Sequence, residues 1–327
     1  MTDLEVRPAT SGDRAAIVSL LATSLGRDPH DPRYDALFAW KHETNVFGRS
    51  PMWVACDGDR LAGFRTLMRW RFERDGCLVD AVRAVDTATH PDYQGHGIFT
   101  RLTLHALDAL REDGVAFVFN TPNDQSRPGY LKMHWRVVGR VPVSVRPRTP
   151  AGLVRMARSR TAADRWSAPC DAGEPASEVV GRTDELRDLL ASQPLSAGLR
   201  TARSPEFLAW RYGGELLPYR CVVAPGGVRD GVAFFRWRAR GSARETVVAD
   251  VVVRDGDPRA ARALVRRTAR DAGGDYAIRA SEPGAAAAGG FVRLPGQGPI
   301  LTWRDVCETA MAPLRAWDVS LGDIELF

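Results

Sequence analysis

Apolar residues fill or alternate through three neighbouring segments in the first third of the chain, Met52–Cys56, Leu61–Phe72 and Leu78–Thr89. The turn-forming sequences Asp57-Gly58-Asp59 and Asp75-Gly76 separate them. Aspartate and glycine side by side between two such runs favour tight hairpin turns. The pattern therefore predicts three antiparallel strands joined by short turns.

Helical periodicity, with apolar residues three and four positions apart, precedes and follows these strands. After a first strand at Leu4–Pro8, the capping sequence Thr10-Ser11-Gly12-Asp13 begins a helix that extends to about Leu25, and a second helix covers Asp31–Asn45. A third helix follows the strands and is marked by the apolar positions Ile98, Leu102, Leu104, Leu107 and Leu110.

The next apolar run, Gly114–Asn120, is typical of a buried strand, and Trp135–Val143 is expected to close the first sheet. Helices and strands follow again in the second half, with helices predicted at Asp184–Leu190, Pro205–Tyr212 and Pro258–Ala272. We therefore expect a mixed α/β (α+β) fold in two tandem domains, each a mostly antiparallel twisted sheet flanked by helices.

An internal repeat supports this division. Short sequences of the first half recur in the same order and at similar spacing in the second half, which indicates a duplication. We expect one domain at residues 1–145, a linker rich in proline, arginine, alanine and serine at 146–178, and a second domain at 179–327. The matching sequences are Phe38–His42 with Leu208–Tyr212, Met68–Arg71 with Phe235–Arg238, and Ala84–Asp86 with Val248–Asp250.

A glycine-rich loop, Gln94-Gly95-His96-Gly97-Ile98-Phe99, lies between a predicted strand and the helix that follows. Glycines at such a junction leave backbone N–H groups bare, so the loop forms a pocket for phosphate oxygens. The loop is not that of nucleotide triphosphatases, and Thr100 stands where the dinucleotide loop has its third glycine. The residues alone indicate a phosphate-binding loop or an exposed turn.

The sequence around this loop resembles the GNAT superfamily of N-acetyltransferases, which has a strand, a His/Asn-Pro turn and then Gln/Arg-x-x-Gly-x-Gly/Ala. Gln94–Phe99 matches except at its last position, where Phe99 replaces a small residue. Asn123–Trp135 resembles the next family element, Asn-x-x-Ser-x-x-x-Tyr-x-Lys-x-Gly-Trp/Phe, with His134 where glycine is usual.

The second copy of the internal repeat lacks the residues that are expected to bind the cofactor in the first copy. The resemblance covers residues 4–143 well and residues 180–327 weakly, which is typical of a tandem two-domain type with a degenerate second domain. No Gln-x-x-Gly-x-Gly sequence follows Asp250, and Asp255 and Asp257 would repel a pyrophosphate. We expect this copy to wall the acceptor pocket or to form a subunit interface, as in a homodimer.

The resemblance implies an enzyme that uses acetyl-CoA as acyl donor and needs no metal. In the family, the glycine loop holds the pyrophosphate, the preceding strand pairs with the pantetheine, and the tyrosine protonates the departing thiolate, which makes Tyr130 the expected general acid. The implied cofactor-binding residues are Thr87, Ala88, Thr89, Gln94, Gly95, His96, Gly97, Ile98, Phe99, Thr100, Asn123 and Ser126.

The sequence leaves the general base open. Asp86 is the first candidate, because a carboxylate in an apolar strand is costly unless it is paired or functional. Asp250 repeats it in the copy without a loop, which favours a structural role. Some relatives of the enhanced-intracellular-survival group use their C-terminal carboxylate, here that of Phe327. Glu43 is a further candidate for the base, with a surface salt bridge as the alternative. The candidate acceptor contacts are Trp40, Glu43 and His134, and packing would also explain His134.

Composition narrows the class of protein. The net charge of +5 comes almost wholly from arginine, since Lys41 and Lys132 are the only lysines, and no dense basic helix points to nucleic acid. The sequence has no run of about 18 apolar residues, so no membrane span is predicted, and the N-terminus lacks the apolar core of a signal peptide. Five scattered cysteines without a Cys-x-x-Cys pair argue against a zinc site or a disulfide framework, so a cytoplasmic protein is expected.

These observations predict transfer of an acyl group, expected to be acetyl, to the amine of a small molecule such as an amino sugar, an antibiotic-like metabolite or an amino-acid derivative. Two domains give a deeper acceptor pocket than one, which suits a small molecule better than a protein tail. Two alternatives stay open. One is a longer or carrier-bound acyl donor, for which Phe99 and His96 leave room, and the other is a non-catalytic acyl-CoA-binding scaffold.

Overall fold

The computed structural model describes residues 4–325 except residues 25, 27, 29, 30 and 281–287. Helices and strands of the first half follow in the predicted order. The helix predicted to reach Leu25, which lies outside the described residues, is found up to Ser24. The elements are β1 (Glu5–Pro8), α1 (Arg14–Ser24), α2 (Pro32–His42), β2 (Met52–Asp57), β3 (Arg60–Arg74), β4 (Cys77–Thr89), α3 (Ile98–Glu112), β5 (Phe117–Asn120), α4 (Arg127–Lys132), β6 (Arg136–Arg140), β7 (Val143–Pro147) and α5 (Pro150–Arg158).

The second half contains the predicted helices with ends within one residue of those expected. The structure adds short strands and helices near the beginning and the end of this half, in segments whose sequences have no strong periodicity. The elements are β8 (Glu174–Pro175), α6 (Ala176–Val180), α7 (Thr183–Ala191), β9 (Leu199–Thr201), α8 (Pro205–Tyr212), β10 (Arg220–Val223), β11 (Gly231–Arg240), β12 (Ala243–Val253), α9 (Pro258–Asp271), β13 (Tyr276–Ala280), β14 (Val292–Arg293), β15 (Ile300–Asp305), β16 (Trp317–Asp318) and α10 (Leu321–Ile324).

The strands described here form two sheets, of nine and seven strands. The larger sheet has the order β1-β2-β3-β4-β5-β15-β6, with β9 pairing with β3 and β16, and the smaller has the order β14-β7-β13-β12-β11-β10-β8. Neighbours are antiparallel except β4 with β5, β12 with β13 and β9 with β16. Each sheet thus has a long antiparallel hairpin followed by a parallel pair, which confirms the predicted mixed α/β fold with two mostly antiparallel sheets.

The two sheets exchange strands. β7 follows β6 in sequence but pairs with β13 in the smaller sheet, whereas β15 pairs with β5 and β6 in the larger sheet. The strand predicted at Trp135–Val143 is therefore found as the edge strand β6, separated from β5 by β15. Strand pairing crosses the expected boundaries at residues 145 and 178, and those boundaries stay a proposal.

One apolar core joins the two halves. Trp70, Phe117 and Phe119 of the larger sheet belong to the same buried cluster as Phe234 of the smaller sheet and Phe207 of α8. Buried aromatic side chains contribute a large apolar area to such a core. This shared core fixes β4 and β5, the strands between which the site described next begins.

Candidate active site

The glycine loop lies at the beginning of α3 and forms a backbone cradle. Gly95 and Gly97 have φ angles of 80° and 71°, in the left-handed region that favours glycine, and a Cβ atom added to either would meet no atom within 4 Å. The backbone N–H groups of residues 95–100 donate no hydrogen bond to any described residue. Because helix N-termini attract anions, these donors fit the pyrophosphate of acetyl-CoA.

Helix α3 is anchored by the buried side chains of Ile98, Leu102, Leu107 and Leu110. Leu104, predicted to share their face, is 42% exposed. The reason is geometric, since positions two residues apart on a helix do not face the same side. The anchored face holds the loop against the sheet and leaves the His96 side chain exposed.

Beyond Arg83, the edge of β4 on the side of β5 pairs with no described strand, and we call this open edge the wedge. The two strands pair only at Ala81–Arg83 with Phe117–Phe119, while β4 continues beside β3 as far as Thr89. An unpaired strand edge offers N–H and C=O groups to an extended ligand. The predicted partners of the pantetheine, Thr87, Ala88 and Thr89, lie in this part of β4.

Asp86 lies in the wall of the wedge, at a β-bulge between β3 and β4. Its φ angle of 37° is unusual for a residue other than glycine. The Asp86 carboxylate forms an ion pair with Lys41, and its Oδ2 lies 3.0 Å from Nε2 of His42. His42 Nδ1 lies 2.9 Å from the hydroxyl of Ser50. These contacts tie the bulge to the end of α2.

The charge of Asp86 is strongly stabilised. Burial raises the pKa of Asp86, but the Lys41 ammonium and the His42 hydrogen bond outweigh burial and hold this pKa well below its ordinary range. Burial lowers the pKa of His42, so its imidazole is neutral near pH 7. So stable a carboxylate is a weak proton acceptor, which favours a positioning role for Asp86, and its role as the general base stays a prediction.

A small cavity of about 20 Å³ lies beside Asp86, between α1 and α2. Its volume has room for about one water-sized group. The hydrogen bonds of Asp86 to the described residues use Oδ2, which leaves Oδ1 available. The cavity is lined by Val18, Leu21, Ala22, Tyr34, Leu37, Phe38, Lys41 and Asp86.

The turn before α4 positions Tyr130. The side-chain oxygen of Asn123 accepts hydrogen bonds from the backbone N–H groups of Gln125 and Ser126, at 3.1 and 2.8 Å, and from the Ser126 hydroxyl at 2.9 Å. Such a turn is a common function of asparagine before a helix. Asn123 and Ser126 thus shape the approach to α4, and their contact with the cofactor stays a prediction.

Tyr130 is buried on α4 and its hydroxyl accepts a hydrogen bond of 2.9 Å from Nη1 of Arg65 on β3. The rings of Phe99 and Trp135 enclose the phenol, each with its centroid 5.2 Å away. Because arginine has no acceptor, the hydrogen of the Tyr130 hydroxyl must point to another group. This is the arrangement that a proton donor requires.

Structural contacts account for two of the three residues predicted to bind the acceptor. Trp40 stacks on Trp210 between the two halves, and Glu43 pairs with Arg14 at 2.7 Å. His134 is exposed after the end of α4, with a φ angle of 67°. Glycine favours this conformation, which explains why the family has glycine there. A role of these residues in acceptor binding stays a prediction.

Lys41, His42 and Arg65 were not identified as site residues from the sequence. Of the three, Lys41 was the easiest to recognise as a candidate from the sequence, because it is one of two lysines in an arginine-rich chain. Arg65, like Asp86, is a charged residue inside an apolar strand. Because arginine is abundant in this chain, a single arginine is a weak signal of function. Their roles depend on partners that lie far away along the chain.

Phe327, another candidate for the base, lies outside the described residues. The segment that precedes it reaches the apex of the wedge. There Arg83, the last residue of β4 that pairs with β5, donates hydrogen bonds to the backbone oxygens of Asp323 and Ile324. The end of the described chain is therefore fixed next to the site.

The corresponding helix start in the second half offers no anion site. The Asp257 carboxylate caps α9 and accepts hydrogen bonds from the backbone N–H groups of Arg259 and Ala260, at 2.9 and 3.3 Å. Asp250, the repeat of Asp86, forms an ion pair of 2.8 Å with Arg203. The second copy thus keeps a paired aspartate but fills its helix N-terminus with its own carboxylate, as expected of a degenerate domain.

Three further features concern metal binding, membrane insertion and disulfide bonding. Within residues 4–325, apart from the gaps given above, no group of three or more His, Cys, Asp or Glu side chains could hold a metal ion. No helix in the same part of the chain is long and apolar enough to cross a membrane. The five cysteines are free thiols.

A family model described as the acetyltransferase (GNAT) domain matches residues 5–138. No curated protein matches the chain. A probable N-acyltransferase from Enterococcus faecalis V583 has a similar structure, with a TM-score of 0.64 and 11% identity over 93% of this chain and 73% of its own.

Two other solved structures show the same likeness. A GCN5-related N-acetyltransferase from Anabaena variabilis aligns with a TM-score of 0.63 at 13% identity, over 93% of this chain and 73% of its own. Eis1 from Mycobacterium abscessus aligns with a TM-score of 0.59 at 16% identity, over 93% and 74%. At these identities the likeness shows the fold, which includes both sheets.

Proposed function

We propose that the protein transfers an acetyl group from acetyl-CoA to the amine of a small molecule, since residues 5–138 match the model of the GNAT acetyltransferase domain. The observation that carries the proposal is the run of backbone N–H groups at residues 95–100 that donate no hydrogen bond to a described residue, at the start of α3 after the wedge strand β4. A pyrophosphate followed by an extended chain of amides matches these two features.

The donor side of the reaction uses the loop, the wedge and Tyr130. The loop binds the pyrophosphate, and residues 87–89 pair with the pantetheine amides. Acetyl-CoA supplies a thioester whose carbonyl carbon the amine attacks. As the carbon–sulfur bond breaks, the sulfur takes the proton of the Tyr130 hydroxyl, which the hydrogen bond from Arg65 orients.

The amino group of the acceptor enters the small cavity beside Asp86. Oδ1 of Asp86 accepts a hydrogen bond from the amine and orients its lone pair, while water carries the released proton away because Asp86 is a weak base. The cavity has room for about one group of this size, so it does not select among the acceptor classes named above.

The five free thiols suit the reducing cytoplasm, where we expect the reaction to take place. A longer or carrier-bound acyl donor is distinguished from acetyl-CoA by comparing affinities. A non-catalytic scaffold would bind acyl-CoA and release no thiol with any amine.

Isothermal titration with acetyl-CoA, longer acyl-CoAs and free CoA tests the binding site. We expect micromolar affinity for acetyl-CoA in the wild type and at least a tenfold loss, about 1.4 kcal/mol, in Gly95→Val. Gly58→Val is the matched control, because Gly58 also has a positive φ angle, of 56°, and open space around its added Cβ, but lies in the β2–β3 turn. Equal affinity of the Gly95 and Gly58 variants would contradict the loop assignment, and no binding by the wild type would contradict the function.

A further inference from the structure

Arg65 is a fully buried cation next to the proposed general acid. Its relative exposure is 0%, and its guanidinium carbon lies 5.4 Å from the ring centroid of Tyr130 and 5.6 Å from that of Phe99. Phe99 is the second residue of α3, which follows the glycine loop, and Tyr130 lies on the next helix. Arg65 therefore connects the sheet with both helices of the donor site.

The charge of Arg65 has no acidic partner in the part of the chain that the structure describes. Arg65 forms no ion pair with a described residue, and its Nε and Nη2 are buried without a hydrogen-bond partner among them. A buried charge is costly unless an opposite charge and hydrogen bonds compensate for it. Stability of the fold alone therefore does not explain an arginine at this position.

Other fully buried arginines have more partners. Arg236 pairs with the Glu325 carboxylate at 3.2 Å, and Arg83 donates hydrogen bonds to three oxygen atoms. Among the described residues, Arg65 donates a single hydrogen bond, to the Tyr130 hydroxyl. The contrast points to Tyr130 as the reason for a cation at this position.

We propose that Arg65 is a positioning residue that orients the Tyr130 hydroxyl toward the sulfur of the acyl donor, while its positive charge stabilises the phenolate that forms when Tyr130 gives up its proton. The inference rests on the proposed function. When the amine nitrogen bonds to the carbonyl carbon, the carbon–sulfur bond breaks, its electron pair moves to sulfur, and sulfur takes the Tyr130 proton. The phenolate then lies against the guanidinium until the proton released by the amine, carried by water, restores the hydroxyl.

Arg65→Met tests the proposal, since methionine fills a similar volume without charge. We expect kcat to fall at least about tenfold, with KM for acetyl-CoA nearly unchanged. The melting temperature should not fall, because an unbalanced buried charge is removed. Arg65→Lys should recover part of kcat. Arg71→Met on the same strand breaks only an exposed pair with Asp80, of 2.6 Å, and should keep full activity.

A binding measurement adds a readout that needs no acceptor. The wild type should bind free CoA more tightly than desulfo-CoA, which lacks the sulfur, and this preference should grow with pH as the thiolate forms. In Arg65→Met the growth with pH should disappear. A double variant with Tyr130→Phe should be no slower than Tyr130→Phe alone, since both residues act in one step.

The outcomes separate this proposal from the proposed function. If the wild type binds neither CoA nor desulfo-CoA, the proposed function fails and this inference with it. If it binds both and Arg65→Met keeps its kcat and its pH-dependent preference, the role of Arg65 is overturned. The role is also overturned if Arg65→Met lowers the melting temperature and the activity together and Arg65→Lys restores neither.

Discussion

The indole N–H of Trp40 donates a hydrogen bond of 2.7 Å to the backbone oxygen of Trp210, and the indole N–H of Trp210 returns one of 2.9 Å to the backbone oxygen of Trp40. The two rings stack with their centroids 5.0 Å apart. Since the two residues are equivalent in the internal repeat, the halves of the molecule meet here through a reciprocal contact. This contact is a structural reason for a tryptophan in both copies, and a role of Trp40 in acceptor binding stays a prediction.

Trp40→Phe should therefore act on stability. The variant leaves the Trp210 carbonyl without its indole donor and should lower the free energy of unfolding by about 1–3 kcal/mol in a urea titration. Trp210→Phe should give a similar loss, because it removes the reciprocal bond. An unchanged stability of Trp40→Phe with a raised KM for the amine would instead make Trp40 a substrate contact.

His42 should make stability depend on pH. Burial lowers its pKa below the ordinary value of 6.5, so the unfolded state takes up this proton at a higher pH than the folded state. As pH falls from about 6.5 toward the folded pKa, the free energy of unfolding should fall by at most about 1.4 kcal/mol per pH unit, and above 6.5 this contribution is fully present. His42→Gln should show a shallower fall in urea titrations between about pH 5 and 8. Equal slopes in the two proteins would contradict the buried neutral imidazole.

His134→Gly should stabilise the protein. His134 has a left-handed conformation that costs an ordinary side chain about 1–2 kcal/mol, and the gain is reduced by the greater freedom of glycine in the unfolded state. We expect a higher melting temperature and unchanged acetyl transfer. A raised KM for the amine would restore His134 as a substrate contact.

Local features of the site were predictable from the sequence. The loop at Gly95 and Gly97 and the segment that carries Tyr130 depend on short-range patterns, in which turn residues and helix periodicity act within a few positions. The helix Pro205–Tyr212 was predicted with the ends that the structure has, because Ser204 caps it and proline begins it.

Features that depend on distant contacts were not predictable. Lys41 and His42 contact Asp86, and Arg65 contacts Tyr130. The partners are 44 to 65 positions apart in the sequence and are brought close by the sheet. The insertion of β15 between β5 and β6 follows from strand pairing across most of the chain, and no local pattern encodes such a pairing.

Thiol release from acetyl-CoA with a panel of small amines, compared between the wild type and Tyr130→Phe, tests the central claim most directly. We expect at least one amine to give turnover, and the phenylalanine variant, which lacks the hydroxyl held by Arg65, to be at least about tenfold slower with little change in affinity for acetyl-CoA. Equal rates in the two proteins would contradict Tyr130 as the acid. Tight binding of acetyl-CoA without thiol release with any amine would contradict the acetyltransferase and favour an acyl-CoA-binding scaffold.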